Sequence, residues 1–139
     1  MEDLVAVVEA EGEFWGERSR AELHHPMLIH EFGETALVAR EPGGGVIGYL
    51  FGFVTIEGVG YAHLVAVREG HRRRGLARAL YGEFEQRARA RGARALKAFT
   101  RPENERSIAF HASLGMSATA VADYSGPGET RVVFWRDLE

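Results

Sequence analysis

The sequence predicts a single α+β domain whose middle strands are flanked by helices. Its 139 residues are enough for one hydrophobic core and are typical of one domain. Short stretches rich in Val, Leu and Phe alternate with stretches of helical spacing, and Gly or Pro separates most of them. No repeat, linker or low-complexity tract divides the chain, so we expect these elements to share one core.

The composition excludes several classes of protein. A formal net charge of −3 does not indicate a nucleic-acid-binding protein, because the basic residues are clustered locally rather than in excess over the whole chain. The absence of cysteine rules out disulfides, a cysteine nucleophile and a cysteine-ligated metal. No apolar run approaches the roughly 18 residues of a membrane span, and the start, Met1-Glu2-Asp3, is unlike a signal peptide. We therefore expect a cytoplasmic protein, and the excess of arginine over the single lysine, Lys97, suggests a GC-rich bacterial genome.

The first part of the chain is predicted to be helical. Apolar residues three and four positions apart indicate a helix over Glu2–Phe14. A shorter helix is expected over Ser19–Leu23, before Pro26 interrupts it, and a further helical turn is expected over Met27–Phe32.

The rest of the chain predicts six strands and two helices. The strands are Thr35–Ala39, Val46–Val54, Ala62–Val67, Ala95–Thr100, Ser117–Tyr124 and Thr130–Leu138, and the helices are Gly75–Arg91 and Asn104–Leu114. Gly48 and Gly52 lie on one face of the second strand, which indicates a close backbone approach or a bulge. Gly82 in mid-helix costs about 1 kcal/mol relative to alanine, which indicates a tightly packed neighbour.

A strand, a basic loop and a helix start succeed one another between Ala62 and Leu80. The loop reads Arg72-Arg73-Arg74-Gly75-Leu76-Ala77. The first amides of a helix have no acceptor within it, so they point at any anion that docks there. The three arginines add mobile positive charge. The loop is therefore a candidate anion site, and the alternative is a solvated basic loop in which Gly75 eases a turn.

This loop resembles the acyl-CoA pyrophosphate loop of the GCN5-related N-acetyltransferases. The pattern of that family is Gln or Arg, two residues, Gly, one residue, then Gly or Ala, and the six residues here match it fully. The preceding segment, Leu64-Val65-Ala66-Val67, is similar to the fourth strand of the family. Placed between a Val-rich strand and a helix, the match is specific.

A second stretch, from Asn104 to Met116, resembles the later motif of the same family. The matching positions are Asn104, Ala109, Phe110, Leu114 and Gly115. Two positions depart from the pattern: His111 stands where most members have tyrosine, and Met116 replaces an aromatic residue. Together the two motifs cover about half of the chain.

The resemblance implies the fold and the reaction. The fold is a mixed, mostly antiparallel central sheet flanked by helices, with the first strand of the family missing or lying before the start of this chain. The reaction is transfer of the acetyl group of acetyl-CoA to a primary amine by direct attack in a ternary complex, without a metal. The acceptor is a small-molecule or peptide amine, neither nucleic acid nor membrane is a partner, and the family allows a homodimer.

The resemblance also implies how the acyl carrier is held. The amides of the basic loop would bind the pyrophosphate, with Gly75 and Ala77 small where phosphate oxygens approach. The backbone of Leu64–Val67 would pair with the pantetheine arm and donate to the thioester oxygen. Asn104 would lie near the arm, and its alternative role is to cap the following helix.

Two histidines are the candidate catalytic residues. His111 holds the position of the tyrosine that protonates the leaving thiolate, and it could act as an imidazolium or as a neutral donor. Its alternative is a helix-surface histidine without a role. His63 stands four residues before Val67, as in the His-x-x-x-Val of the arylalkylamine N-acetyltransferases, and is the candidate base for the amine. Its alternative is a satisfied core histidine, and Glu57 and Glu69 are weaker candidates.

The resemblance implies an acceptor site between the first helices and the last strand pair. His25 and Tyr124 are the candidates that would line this region from its two sides, and the alternative for His25 is a place in a helix cap. The histidines near Pro26 lack a chelating spacing, so no metal site is predicted. Two other functions stay open: a catalytically weak or inactive acyl-CoA-binding sensor or partner subunit, and a nucleic-acid-binding domain, against which the net charge argues.

Overall fold

The structure is a computed structural model that describes residues 14–15 and 26–139. The strands are β1 Leu37–Arg40, β2 Val46–Val54, β3 Val59–Val67, β4 Ala95–Thr100, β5 Ser117–Val121 and β6 Arg131–Asp137, and the helices are α1 Pro26–Phe32, α2 Leu76–Ala90 and α3 Glu105–Ser113. Apart from Phe14, the helices predicted over Glu2–Phe14 and Ser19–Leu23 lie outside the described residues, as does the expectation of a missing first strand.

The six strands form one mixed sheet in the order β1-β2-β3-β4-β6-β5. All neighbours pair antiparallel except β3 and β4, which are parallel. This confirms the predicted α+β class and the mixed, mostly antiparallel sheet. The β3–β4 pairing joins only Val59–Tyr61 to Ala95–Lys97. Among residues 14–15 and 26–139, one edge of β3 therefore has no strand partner beyond Tyr61, although β3 continues to Val67.

β3 contains a bulge at His63. Phe51 and Gly52 are consecutive on β2, but their partners on β3 are Leu64 and Ala62, so His63 is the extra residue. The bulge changes which face the side chains occupy. Ala62 packs in the cluster under α2, whereas Leu64 packs in a second cluster. A bulge thus lies where the β3–β4 pairing ends.

Two hydrophobic clusters occupy opposite faces of the sheet. Leu50 belongs to the first cluster and its neighbours Tyr49 and Phe51 to the second, as expected when successive side chains of a strand alternate. The first cluster holds the apolar face of α2, namely Leu80, Tyr81, Phe84 and Ala88. The second holds Phe14 and Ile29 of the N-terminal region.

The glycine predictions had different outcomes. A Cβ on Gly52 would lie 2.7 Å from the Tyr61 carbonyl oxygen and 2.8 Å from the Phe84 ring, which confirms the close approach. The tight packing predicted at Gly82 is wrong, because a Cβ there would meet nothing within 4 Å. Gly82 lies on the exposed side of α2.

Three strand boundaries differ from prediction by two residues or more. β1 begins at Leu37, because Gly33–Thr35 forms a 3-10 turn. β3 begins at Val59 rather than Ala62, because Val59–Tyr61 pair with β4. β5 ends at Val121, before Asp123 takes a left-handed φ of 56°, which a strand cannot accommodate. All three errors lie at element ends.

Candidate active site

The basic loop combines two left-handed residues with a helix start. Arg73 has φ of 65° and Gly75 has φ of 77°, so the chain is bent sharply just before α2. The first helical hydrogen bond runs from the Ala79 amide to the Gly75 carbonyl, 3.0 Å, and in the described part of the chain no side chain caps the helix at Gly75. The amides of Leu76–Arg78 therefore have no acceptor within α2. Such an array of amides binds an anion such as a diphosphate.

The three arginines of the loop are not equivalent. The Arg72 Nε donates to the Val67 carbonyl, 3.0 Å, and one terminal nitrogen donates to the Phe14 carbonyl, 2.9 Å. Its amide donates to the Glu69 carbonyl. The expectation of mobile charge is therefore wrong for Arg72, which ties the loop to the end of β3. Arg73 and Arg74 are exposed, so mobile positive charge is still expected of these two residues.

The unpaired edge of β3 presents alternate peptide groups. The Arg68 amide donates to the Ile47 carbonyl on β2, 2.8 Å. Because antiparallel peptide groups alternate in direction, every second residue before Arg68 also faces β2. Of the four residues predicted to hold the pantetheine arm, Leu64–Val67, only Val65 and Val67 thus direct peptide groups to the free edge. An extended ligand can pair there as an added strand.

His63 lies at the bulge, half-buried among aromatic rings. Its Nδ1 is 3.1 Å from the Tyr61 hydroxyl oxygen, and the rings of Phe51 and Phe53 are 6.0 and 6.3 Å away. Burial raises the pKa of Tyr61 far above its ordinary value, with a smaller contribution from Tyr124, so the phenol keeps its proton. When Nδ1–H donates to that phenol oxygen, Nε2 is the basic nitrogen of the ring.

His111 lies in the interior and is only 4% exposed, so the helix-surface alternative is wrong. Its Nδ1 is 2.7 Å from the Ser107 carbonyl and its Nε2 is 2.7 Å from the Tyr81 hydroxyl oxygen. The ring stacks on Phe134 at 4.1 Å. Nδ1 therefore carries the proton, and Nε2 accepts from Tyr81, whose pKa burial raises.

Burial lowers the pKa of His111, against a smaller opposing effect of the Ser107 carbonyl. The neutral ring is thus favoured, and its one N–H is used within the protein. This geometry does not favour His111 as the acid for a leaving thiolate, and the catalytic role of His111 stays a prediction.

A model of the acetyltransferase (GNAT) family matches residues 4–116 of the chain, which is well over half of its length. The chain belongs to the GNAT acetyltransferase family. Among curated protein sequences, none is similar enough to this chain to count as a match.

Solved structures share this GNAT fold over nearly the whole chain. Ard1 from Thermoplasma volcanium has a TM-score of 0.81 at 23% identity, and the match covers 99% of this chain and 93% of that one. The ribosomal-protein-S18-alanine N-acetyltransferase of Escherichia coli has a TM-score of 0.76 at 21% identity, with 100% and 90% covered. Naa20 of Chaetomium thermophilum, in complex with a bisubstrate analogue, has a TM-score of 0.76 at 22% identity, with 98% and 81% covered.

The remaining predicted residues of this GNAT domain lie in different places. Asn104 caps α3, because its side-chain oxygen accepts from the Ser107 amide, 3.1 Å, and its Nδ2 donates to the Thr100 hydroxyl, 3.1 Å. Its expected place near the pantetheine arm stays a prediction. His25 lies outside the described residues. Tyr124 lies in the β5–β6 connection, 5.4 Å from the Phe99 ring.

Sequence reasoning missed the residues around Tyr124. Lys97 places its Nζ 5.3 Å from the centre of the Tyr124 ring, and Trp135 lines the same cleft of about 310 Å³. One signal was available in the sequence: the only lysine of the chain stands in the middle of an apolar strand.

Within residues 14–15 and 26–139, no group of three or more His, Cys, Asp or Glu side chains is arranged to hold a metal ion. In the same part of the chain, none of the helices has the length and hydropathy needed to cross a membrane.

Proposed function

We propose that this GNAT domain transfers the acetyl group of acetyl-CoA to a primary amine by direct attack in a ternary complex. One observation carries the proposal: the bulge at His63 lies where the β3 edge loses its strand partner. The same edge leads directly into the loop and the uncapped start of α2. A base, an acyl-carrier groove and a diphosphate site thus follow one another along one segment.

The start of α2 binds the diphosphate of acetyl-CoA. Its uncapped amides donate to phosphate oxygens, and the positive end of the helix dipole adds to the attraction. Arg73 and Arg74 are exposed beside this site and contribute charge. Arg72 positions the loop, because it bonds the carbonyls of Val67 and Phe14.

The free edge of β3 aligns the pantetheine arm and the thioester. The peptide groups of Val65 and the amide of Val67 face this edge, while the Val67 carbonyl already accepts from Arg72. An amide-containing arm can pair with these groups and extend the sheet. A backbone N–H near the bulge stabilises the oxyanion that forms when the amine attacks. Preorganised donors of this kind are worth about 10²–10³-fold in rate.

His63 accepts a proton from the attacking amine, which is a nucleophile only when unprotonated. The Tyr61 hydroxyl contacts Nδ1 of the ring, and in the tautomer whose Nδ1–H donates to that oxygen, Nε2 is the nitrogen that acts as the base. The leaving thiolate needs less help, because a thiol of pKa near 8.5 leaves fairly well at neutral pH. We assign its protonation to solvent rather than to the buried His111.

The acceptor is a primary amine of a small molecule or a peptide. Two structural relatives support a peptide or protein amine, since one acetylates ribosomal-protein alanine by its name and another binds a bisubstrate analogue. A cytoplasmic location and a homodimer stay predictions.

The test is release of free thiol from acetyl-CoA in the presence of a panel of primary amines and short peptides. We expect amine-dependent release, together with heat in a calorimetric titration with coenzyme A. Absence of both signals would contradict the proposal.

The second candidate is an acyl-CoA-binding domain with little or no turnover. The observation that favours it is His111, whose nitrogens are both bonded within the protein where most family members carry tyrosine. Binding of coenzyme A without thiol release for any amine would support this candidate.

A further inference from the structure

Lys97 is a charged residue in the interior of the sheet. β4 lies between β3 and β6, and Lys97 is directly opposite Tyr61 on one side and Trp135 on the other. Its side chain is half-buried. The face of a central strand normally carries apolar residues, because a charge there loses part of its hydration.

No described carboxylate pairs with Lys97. The ion pairs of residues 14–15 and 26–139 all involve arginine or histidine, and Nζ instead lies over the Tyr124 ring at 5.3 Å. A cation–π contact offsets only part of the cost of partial dehydration. The charge therefore suits an anionic group that arrives with a ligand.

A cleft of about 310 Å³ opens at this lysine. Aromatic side chains form its walls, and its lining residues are Thr55, Glu57, Val59, Tyr61, Lys97, Tyr124 and Trp135. Its other charged group, Glu57, is exposed in the turn between β2 and β3, where solvent and salt screen it. Lys97 is less hydrated, so its charge acts more strongly inside the cleft.

The cleft and the candidate base both contact Tyr61. Tyr61 lines the cleft, and the Tyr61 hydroxyl contacts His63. Lys97 is opposite Tyr61 and His63 is two residues further along β3, so the backbones of Lys97 and His63 are about 7 Å apart along the strands and about 5 Å apart across them.

We infer that Lys97 recognises a carboxylate on the acceptor, so that the preferred substrate is a peptide-like primary amine with an acidic group several bonds from its amino group. This inference rests on the proposed function, since it assigns the acceptor of that reaction. The separation along β3 matches an acidic side chain in the second residue of a peptide. An α-carboxylate is attached to the carbon that bears the amine. It lies too close to the amine to reach Lys97 while the amine is at His63.

The test compares two C-terminally amidated peptides that differ only in Asp or Asn at the second position. We expect wild type to acetylate the Asp peptide with roughly tenfold higher kcat/KM, in line with one charge-assisted hydrogen bond. Lys97→Met should remove this preference by lowering activity on the Asp peptide alone, and Lys97→Arg should retain most of it. Arg101→Met, which removes an exposed charge just beyond β4, is the control and should keep the preference.

The outcomes separate the inference from the proposed function. Equal kcat/KM for the two peptides in wild type, or an equal loss for both in Lys97→Met, overturns the inference while acetyl transfer stands. If neither peptide is acetylated, calorimetric titration of both still decides: tighter binding of the Asp peptide, lost in Lys97→Met, supports the inference, and equal binding overturns it. A third comparison, alanine against alaninamide, should show no dependence on Lys97, and a dependence there would contradict the assigned spacing.

Discussion

The Nε2 atom of His111 lies 2.7 Å from the hydroxyl oxygen of Tyr81, and both side chains are buried. The hydroxyl donates, because the Nδ1 proton of His111 goes to the Ser107 carbonyl. This bond joins α3 to α2 beneath the sheet. It gives the histidine a structural role at a position where most family members carry tyrosine.

His111→Phe is expected to lower the free energy of unfolding by about 1–3 kcal/mol, because it leaves the buried Tyr81 hydroxyl without a partner. Chemical denaturation measures this loss. Adding Tyr81→Phe should recover part of it, since the unpaired hydroxyl is then removed. At temperatures where His111→Phe is folded, its turnover rate should stay within a few fold of wild type. A loss of turnover of roughly a hundredfold or more under those conditions would restore His111 as the catalytic acid.

The burial of His111 makes stability depend on pH. Burial lowers the pKa of His111 in the folded protein below the ordinary 6.5, so below pH 6.5 the unfolded chain binds a proton that the folded protein does not. His111 thus contributes fully above that pH, and its contribution falls as the pH falls, by at most about 1.4 kcal/mol per pH unit. The stability difference between wild type and His111→Phe should therefore shrink between pH 7.5 and 5.5. A difference that is constant over this range would contradict the assignment.

Local sequence patterns predicted most of the helices and strands. They did not predict the register between strands or the contacts between distant segments. The bounds of β2 and β4 follow from apolar runs between turn residues, and both agree with the structure. The glycines of β2 indicated a close approach or a bulge, and the register does shift at Gly52. The place of the extra residue, His63, depends on pairing between two strands, which no single segment encodes. The bond from Arg72 to Val67 closes a loop whose composition indicated only charge.

Only part of the candidate site could be predicted from local sequence patterns. The motif around Gly75 predicted a turn before a helix, because left-handed φ and a helix start have local signatures. The surroundings of His111 and Lys97 could not be predicted, since they depend on which side chains of distant elements meet: Phe134 stacks on the first and Tyr124 lies under the second.

His63→Gln is expected to lower kcat by about 10²–10⁴-fold, because the amide cannot accept a proton from the amine. The affinity for coenzyme A should be unchanged. Wild-type activity should fall on the acid side of its pH profile as the imidazole becomes protonated, and this limb should be absent in the variant. A profile of the same shape in both proteins would remove His63 from the mechanism.

Gly75→Val is expected to weaken binding of coenzyme A by tenfold or more. A β-branched residue is strained at φ of 77°, and its side chain would lie where the diphosphate approaches the amides of α2. Gly70→Val is the matched control, since a Cβ there meets nothing within 4 Å and Gly70 has no left-handed φ. Calorimetry with coenzyme A measures both variants. Equal affinities would show that the turn at Gly75 does not form the diphosphate site.

Alanine at two glycines should change stability in opposite directions. Gly82→Ala is expected to raise the free energy of unfolding by about 0.5–1 kcal/mol, because the site is exposed, helical and open, and alanine restricts the unfolded chain. Gly52→Ala should lower it, by about 1–3 kcal/mol or more, because its Cβ would meet the Tyr61 carbonyl at 2.7 Å and the Phe84 ring at 2.8 Å. Denaturant titrations of the two variants give both signs directly. Destabilisation by Gly82→Ala would mean that α2 needs glycine for a contact that residues 14–15 and 26–139 do not make.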